Sequence, residues 1–257
     1  MSYFIYHGKK IFYREVGEGK PVLFLHGNTA SSKMFEFILP LYQADCRVFL
    51  MDFLGNGRSD RVEEFPPALW IEWGRQAAAL VRHLDMGKVS LVGTSGGAWS
   101  AVNAALECPE LVEKVVADSF DGRSLHPGFA RDLTAERDRA KRDKAAREFY
   151  AWCQGPDWEA VVDRDTDALL RCAASGRPLF CGPLEQMRPP VLLMGSREDP
   201  MCRQDLEEEY KAMAAQMPHA AVRLFASGGH PAILSRAEAA KEEILAFWLR
   251  CEAAERL

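Results

Sequence analysis

A serine flanked by glycines lies in the stretch LVGTSGGAWS, residues 91–100. Apolar residues typical of a strand precede Gly93 and residues of helical character follow Gly97, which is the context in which G-x-S-x-G forms a sharp turn. In such a turn the serine adopts a strained backbone conformation, and a side chain at either glycine would collide with a neighbouring strand or helix. The pattern therefore predicts that Ser95 is a nucleophile above a sheet.

A histidine must accompany this serine, because a serine hydroxyl is a poor nucleophile until a base removes its proton. His230 is the best placed histidine, since it follows the apolar run AAVRLFA and precedes the last predicted helix. The other histidines lie in a hairpin turn, in a loop that the imidazole is expected to brace, in a helix or in polar segments. We expect these to be structural or exposed: His7, His26, His83, His126 and His219.

An acid that orients the base is predicted after the apolar run VLLM, where the sequence continues Gly-Ser-Arg-Glu-Asp-Pro. This loop begins at the carboxyl end of a predicted strand, the edge at which open α/β sheets bind ligands. Asp199 is favoured because an Asp-Pro step is a common start of a turn. Glu198 in the same loop and Asp118 at the end of the preceding predicted strand remain alternatives.

Backbone amides are the expected donors to the negatively charged oxygen that forms when a serine attacks a carbonyl. The stretch PVLFLHGNTAS places Asn28 just after a buried strand, and Gly96 directly follows the predicted nucleophile. We therefore expect the amides of Asn28 and Gly96 to form an oxyanion hole. The side-chain amide of Asn28 is an alternative donor.

These residues lie within an alternation of short apolar runs and longer helical segments, which is typical of a mostly parallel sheet with helices on both faces. Strands are predicted at residues 3–7, 11–16, 22–25, 47–51, 89–92, 115–118, 191–194 and 221–225. Apolar residues at three- and four-residue intervals predict helices at residues 32–42, 68–84, 98–108, 203–217 and 236–250.

One segment departs from this alternation, because residues 120–187 are polar and helical with no convincing strand. We predict that they form a helical cap, or lid, over one end of the sheet, and that residues 1–119 and 188–257 form the core domain. Aromatic residues of the cap, including Phe149, Trp152 and Trp158, are expected to form an apolar wall over the site.

The composition disfavours several other classes of protein. The 257 residues carry a formal net charge of −5, which gives no reason to expect nucleic acid or an anionic membrane as partner. The N-terminal sequence lacks a secretory signal and no window approaches roughly 18 uninterrupted apolar residues, so we expect a cytoplasmic protein. The seven cysteines show no zinc-binding spacing and residues 52–60 lack a phosphate-binding pattern, so no metal or cofactor is predicted.

Taken together, the motifs resemble the α/β-hydrolase superfamily. The resemblance rests on motifs in a fixed order: His26-Gly27, Asp52-x-x-Gly55-x-Gly57-x-Ser59, Gly93-x-Ser95-x-Gly97, Gly195 with Asp199-Pro200, and Gly229-His230. It implies eight strands, the second antiparallel to the rest, and a cap inserted after strand 6. It also implies Ser95 as nucleophile, His230 as base and Asp199 as acid. Asp199 follows Gly195 by four residues where three is common in the family, so Glu198 stays an alternative.

The expected activity is that of a cofactor-independent serine hydrolase acting on a small molecule, a small or medium carboxylic ester, through an acyl-enzyme on Ser95. The same residues also support hydrolysis of a carbon–carbon bond next to a carbonyl, or perhydrolysis of an acid. A non-catalytic receptor of the same fold is a further alternative. Dehalogenation is disfavoured, because haloalkane dehalogenases use an aspartate where this chain has a serine. The sequence predicts neither the individual substrate nor the oligomeric state.

Overall fold

A mixed sheet runs through the centre of the molecule. The computed structural model describes residues 2–254, and in this range the strands are β1 (Ser2–Tyr6), β2 (Lys9–Val16), β3 (Lys20–Leu25), β4 (Cys46–Met51), β5 (Val89–Thr94), β6 (Val112–Asp118), β7 (Val191–Ser196) and β8 (Ala220–Phe225). Their spatial order is β1-β2-β4-β3-β5-β6-β7-β8. β2 runs antiparallel to β1 and β4, whereas the pairs from β4 to β8 are parallel. The predicted α/β fold with an antiparallel second strand is confirmed.

Helices connect most of the strands. They are α1 (Leu39–Tyr42), α2 (Leu69–Leu84), α3 (Gly96–Glu107), α4 (Phe129–Ala140), α5 (Lys144–Gln154), α6 (Trp158–Ser175), α7 (Leu206–Ala214), α8 (Ala232–Ser235) and α9 (Ala237–Ala254), with 3-10 helices at Ser32–Phe37 and Leu184–Gln186. Within residues 2–254, none of the helices has the length and apolar character needed to cross a bilayer.

Three predicted helices differ from the observed ones. Residues 32–42 form a 3-10 helix followed by α1, because Pro40 near the start of α1 has no N–H to continue a single helical ladder. The helix predicted at residues 203–217 begins only at Leu206, and the backbone N–H of Arg203 donates to Asp121 instead. The helix predicted at residues 236–250 is preceded by α8, which is too short for its periodicity to be detected.

Alternating residues of the central strands place apolar side chains on both faces of the sheet. On β3, Leu23 and Leu25 belong to one apolar cluster, and Val22 and Phe24 belong to the other. Helices α2, α3 and α7 cover the first cluster, and α1, α8 and α9 cover the second. Since both faces are buried under helices, polar functional groups are left to the ends of the strands.

The inserted segment, defined as residues 120–187, lies between β6 and β7 and contains α4, α5 and α6. It lies over the carboxyl ends of the parallel strands, since Leu133 of α4 and Leu169 of α6 line a cavity that also contains Ser95. The loops that follow β3, β5, β6, β7 and β8 begin at this same edge, because these strands are parallel. The predicted site residues are all in these loops or next to them.

Candidate active site

Ser95 lies in a sharp turn between β5 and α3. Its φ of 54° and ψ of −124° are strained values for a residue that carries a side chain. Its backbone N–H donates to the carbonyl of Asp118 at 2.8 Å, which ties the turn to β6. A Cβ on Gly93 would overlap the carbonyl of Gly97, and a Cβ on Gly97 would overlap the carbonyl of Leu25 on β3. Strand and helix therefore approach so closely that both positions require glycine.

His230 and Asp199 meet where the loops after β8 and β7 come together. His230 Nδ1 lies 2.9 Å from Asp199 Oδ2, and Asp199 Oδ1 accepts a hydrogen bond of 2.9 Å from the backbone N–H of Met201. Burial opposes ionisation of this carboxyl, but the hydrogen bond and charge of His230 hold the pKa of Asp199 below its usual value. A carboxylate at Nδ1 favours the tautomer that leaves Nε2 free to accept a proton.

The two alternative acids have different surroundings. Glu198 is exposed. Asp118 is fully buried, and its Oδ2 accepts hydrogen bonds from Thr94 Oγ1 at 2.8 Å and from the backbone N–H of Ile233 at 3.1 Å. Burial raises the pKa of Asp118 to about 7. This carboxyl group therefore links the strand that carries the serine to the helix that follows the histidine.

A cavity of about 60 Å³ contains both Ser95 and His230 in its lining. Trp70 and Trp99 stack beside it with their ring centroids 4.1 Å apart. The inserted segment contributes further apolar walls, namely Phe120, Phe129, Leu133 and Leu169. The serine and the histidine thus face a mainly apolar cavity.

The aromatic residues predicted to cover the site lie elsewhere. Phe149 and Trp152 pack against the apolar cluster that α1, α8 and α9 cover, and Trp158 stacks on Tyr150 with centroids 5.7 Å apart. That prediction is wrong because α5, which carries two of them, packs against α6 and the 3-10 helix at Ser32–Phe37. The cavity walls come from α4 and α6 instead.

Asn28 and Gly96 approach each other beside Ser95. Gly96 is the first residue of α3, so its amide N–H has no acceptor within the helix. A Cβ on Gly96 would overlap Asn28 Oδ1. The side chain of Asn28 is already engaged, since Nδ2 donates to Asp165 at 2.6 Å and Oδ1 accepts from Trp70 Nε1 at 2.9 Å. This arrangement favours the backbone amide of Asn28, rather than its side chain, as a donor to a substrate.

Asp165 of α6, which was not predicted from the sequence, accepts a hydrogen bond from Asn28 beside the candidate site. It is fully buried, and besides Asn28 it accepts a hydrogen bond from the backbone N–H of Thr29. Arg137 Nη2 of α4 lies 3.6 Å from Asp165 Oδ1. Burial raises the pKa of Asp165, and the charge of Arg137 opposes this effect. The sequence feature that could have identified Asp165 is its position as an acidic residue on the apolar face of α6.

Two predicted scaffold features hold the loops around the site. His26 Nδ1 lies 2.8 Å from the carbonyl of Gly27, and its Nε2 accepts from the backbone N–H of Phe53 at 3.1 Å. Burial lowers the pKa of His26, which keeps the ring neutral. Asp52, at the start of the glycine-rich turn, accepts from the backbone N–H of Ser32 at 2.7 Å. Both loops are thus fixed by buried hydrogen bonds.

One family model matches most of this chain, whereas individual relatives match less than half of it. A model described as the alpha/beta hydrolase family matches residues 22–243. The 2-(acetamidomethylene)succinate hydrolase of Mesorhizobium japonicum is 37% identical over 107 residues, which are 42% of this chain and 38% of that protein. The 2-hydroxy-6-oxo-6-phenylhexa-2,4-dienoate hydrolase of Comamonas testosteroni is 34% identical over 110 residues, which are 41% of this chain and 38% of that protein. The matches therefore span well under half the length of these relatives.

Solved structures resemble the chain over nearly its whole length. A serine hydrolase involved in carbazole degradation superimposes with a TM-score of 0.75 at 21% identity, over 96% of this chain and 99% of that one. At this identity the likeness concerns the fold.

Proposed function

The chain belongs to the alpha/beta hydrolase family, and on that basis we propose that it is a serine hydrolase that cleaves a small or medium carboxylic ester through an acyl-enzyme on Ser95. One observation carries the proposal: Ser95, in its strained turn, shares a cavity with His230, and His230 Nδ1 is paired with Asp199. A nucleophile, a base and an orienting acid are what acyl transfer requires of side chains.

In the proposed reaction, Ser95 Oγ attacks the ester carbonyl while His230 Nε2 takes its proton. His230 then passes this proton to the departing alcohol, and Asp199 stabilises the imidazolium ion in between. Water, activated by the same histidine, hydrolyses the acyl-enzyme and releases the acid. The amides of Asn28 and Gly96 donate to the oxyanion, and a single donor of this kind is worth about 100- to 1,000-fold in kcat.

The size of the cavity supports a short acyl group. A volume of about 60 Å³ leaves room for only a few non-hydrogen atoms, and the stacked rings of Trp70 and Trp99 form an apolar wall. A larger groove of about 1,180 Å³, the entrance groove, runs between α4 and the loop after β7 and shares Phe129, Leu133 and Met201 with the cavity. We place the acyl group in the cavity and the alcohol in the entrance groove, with the inserted segment acting as the cap.

A panel of esters graded in acyl and alcohol size tests this proposal. We expect the fastest turnover with acyl groups of about two to four carbons, and a loss of at least about 1,000-fold in Ser95→Ala. The control is Ser90→Ala, which changes a buried serine at the other end of β5 and should leave turnover intact. Full ester turnover by Ser95→Ala would show that another residue is the nucleophile.

A fluorophosphonate probe separates the hydrolase from a receptor of the same fold. The probe should label wild-type protein at Ser95 and leave Ser95→Ala unlabelled. Folded wild-type protein that resists labelling would favour a non-catalytic binding role.

A second candidate activity is hydrolysis of a carbon–carbon bond next to a carbonyl. The name of the Comamonas testosteroni relative, a hydrolase of a 2-hydroxy-6-oxo dienoate, favours it. The same serine, histidine and acid would catalyse this reaction. Comparing kcat/KM for a vinylogous diketone with that for a simple aryl ester decides between the two: a large preference for the diketone supports carbon–carbon cleavage, and a large preference for the ester excludes it as the main activity.

A further inference from the structure

The thiol of Cys202 lies beside the proposed acid and base. Asp199, Cys202 and His230 each offer one ligand atom, a carboxylate oxygen, a sulfur and a ring nitrogen, and these atoms all lie within 4.8 Å of one another. The Cys202 thiol hydrogen-bonds the Asp199 carboxylate, and its backbone N–H donates to the Asp199 carbonyl at 3.3 Å. The turn therefore holds the sulfur and the carboxylate together.

We propose that Asp199, Cys202 and His230 bind a thiophilic divalent cation, Zn²⁺ or Cd²⁺, and that the bound ion inhibits the enzyme. Zinc takes thiolate, imidazole and carboxylate ligands at about 2.0 to 2.3 Å, so the ligand atoms of a tetrahedral site lie about 3.3 to 3.6 Å apart. No pair of ligand atoms has to approach by more than about 1.2 to 1.5 Å to reach this geometry, and His230 Nδ1 and Asp199 Oδ2, which lie 2.9 Å apart, have to separate slightly. On binding, the Cys202 thiol releases its proton to solvent as the metal–sulfur bond forms, and the neutral ring of His230 binds through its unprotonated nitrogen, with its single proton on the other nitrogen.

The ion can reach this site from solvent. Asp199 and Cys202 line the entrance groove, and Cys202 and His230 line the cavity. The cluster therefore stands where the groove and the cavity meet, and in the proposed site a water molecule takes the fourth coordination position. Three protein ligands with an open fourth position is a common arrangement for zinc.

The charge around Cys202 also favours a cation. Besides Asp199, Asp121 lines the cavity together with Cys202 and His230, so a second carboxyl group lies near the proposed ligands. Carboxyl groups beside the cluster attract a divalent ion.

The bound ion inhibits because it binds side chains that the proposed reaction needs. A ring nitrogen of His230 bound to metal no longer takes part in the transfer of the Ser95 proton, and the Asp199 carboxylate no longer orients that ring. This consequence rests on the proposed hydrolase function, whereas the binding of metal does not. The sequence shows no zinc motif because the ligands come from two loops, at positions 199, 202 and 230.

A Cd²⁺ titration, followed by the ultraviolet charge-transfer band of cadmium thiolate, measures binding without turnover. We expect a saturable band in wild-type protein, in Ser95→Ala and in Cys181→Ala, which removes the exposed cysteine. In Cys202→Ala and Cys202→Ser the band should be lost, or the Cd²⁺ affinity should fall by at least about tenfold. An unchanged band in both folded Cys202 variants, or no band in wild type, would overturn the proposal.

Inhibition is measured separately, as the Zn²⁺ concentration that halves each variant's own metal-free rate. This concentration should rise by at least about tenfold in Cys202→Ser but stay unchanged in Cys181→Ala, and a chelator should restore the rate. Equal inhibition of wild type and Cys202→Ser would show that Zn²⁺ acts elsewhere. If the protein turns over no ester, the proposed function fails, while the cadmium band still decides whether the metal site exists.

Discussion

Asp165 of the inserted segment accepts a hydrogen bond of 2.6 Å from the side chain of Asn28, whose backbone amide is the proposed oxyanion donor. The two residues are 137 positions apart in the chain. Thr29, the next residue, has a φ of 58°, an uncommon value for a residue with a side chain. The loop after β3 is therefore held in an unfavourable conformation by a carboxylate that comes from outside the core.

Asp165→Asn should slow catalysis more than it weakens substrate binding. An asparagine offers one acceptor where the carboxylate serves two donors, so the Asn28 loop loses part of its support. We expect kcat to fall by about 10- to 100-fold with a small change in KM, because the oxyanion exists mainly in the transition state. The measurement is steady-state kinetics on the best ester, together with the affinity for a boronic acid, which mimics the tetrahedral intermediate.

The matched control for this variant is Asp163→Asn on the same helix, where the aspartate is exposed and paired with Lys141. It should leave both kcat and the boronic acid affinity unchanged. If Asp165→Asn lowers only the melting temperature while kcat and inhibitor affinity stay at the wild-type values, Asp165 supports the fold and not the loop.

Gly96→Ala should abolish most activity, although alanine is a good helix former. The added Cβ would overlap Asn28 Oδ1 and lie 2.7 Å from Trp70 Nε1, so the Asn28 loop has to move. We expect a loss of at least about 100-fold in kcat, comparable to the loss of one oxyanion donor. The control is Gly182→Ala in the inserted segment, where a Cβ would meet Gln186 Oε1 at 3.9 Å, an ordinary contact distance, and activity should persist. Wild-type turnover by Gly96→Ala would contradict the proposed place of Asn28.

Features of the site that depend on neighbouring residues were predicted from the sequence, whereas contacts between residues far apart in the chain were not. The turn at Ser95 is specified by two glycines within five residues, and His230 and Asp199 each follow an apolar strand, so local patterns predict where these three residues lie in the fold. The contact between Asp165 and Asn28 depends on how the inserted segment packs on the core, which local periodicity does not describe. For the same reason the prediction that Phe149, Trp152 and Trp158 cover the site is wrong, although the sequence located the polar, helical segment itself.

Leu169→Ala should shift the preference for acyl length. Leu169 is buried on α6 and lines the cavity beside Ser95. Removing most of its side chain enlarges a cavity of about 60 Å³ by several methyl-sized groups, at a cost of about 2 to 5 kcal/mol in stability. The ratio of kcat/KM for hexanoyl to acetyl esters should rise by about tenfold or more.

Leu170→Ala removes the same atoms from a partly buried neighbour that does not line the cavity. Its hexanoyl to acetyl ratio should match that of the wild type. A similar rise in both variants would mean that loosening of the segment, and not the size of the cavity, sets the preference.

The buried carboxyl of Asp118 should make stability depend on pH in an unusual direction. Burial raises the pKa of Asp118 from 3.8 to about 7, so between these values the folded protein holds a proton that the unfolded chain has lost. Stability from this group is therefore full below about pH 4 and falls as pH rises towards 7, by about 4 kcal/mol in total. The hydrogen bonds that the backbone N–H of Ile233 and Thr94 Oγ1 donate to this carboxyl group oppose the rise.

Asp118→Asn tests this effect because the amide mimics the protonated acid and keeps one acceptor for Thr94 and Ile233. Urea unfolding at several pH values between about 4 and about 7.5 should show wild-type stability falling relative to the variant as pH rises. Their difference in unfolding free energy should shift by a few kcal/mol in favour of the variant over this range. A constant difference across the range would mean that Asp118 is already ionised at pH 4, and that its hydrogen bonds outweigh the cost of burying its charge.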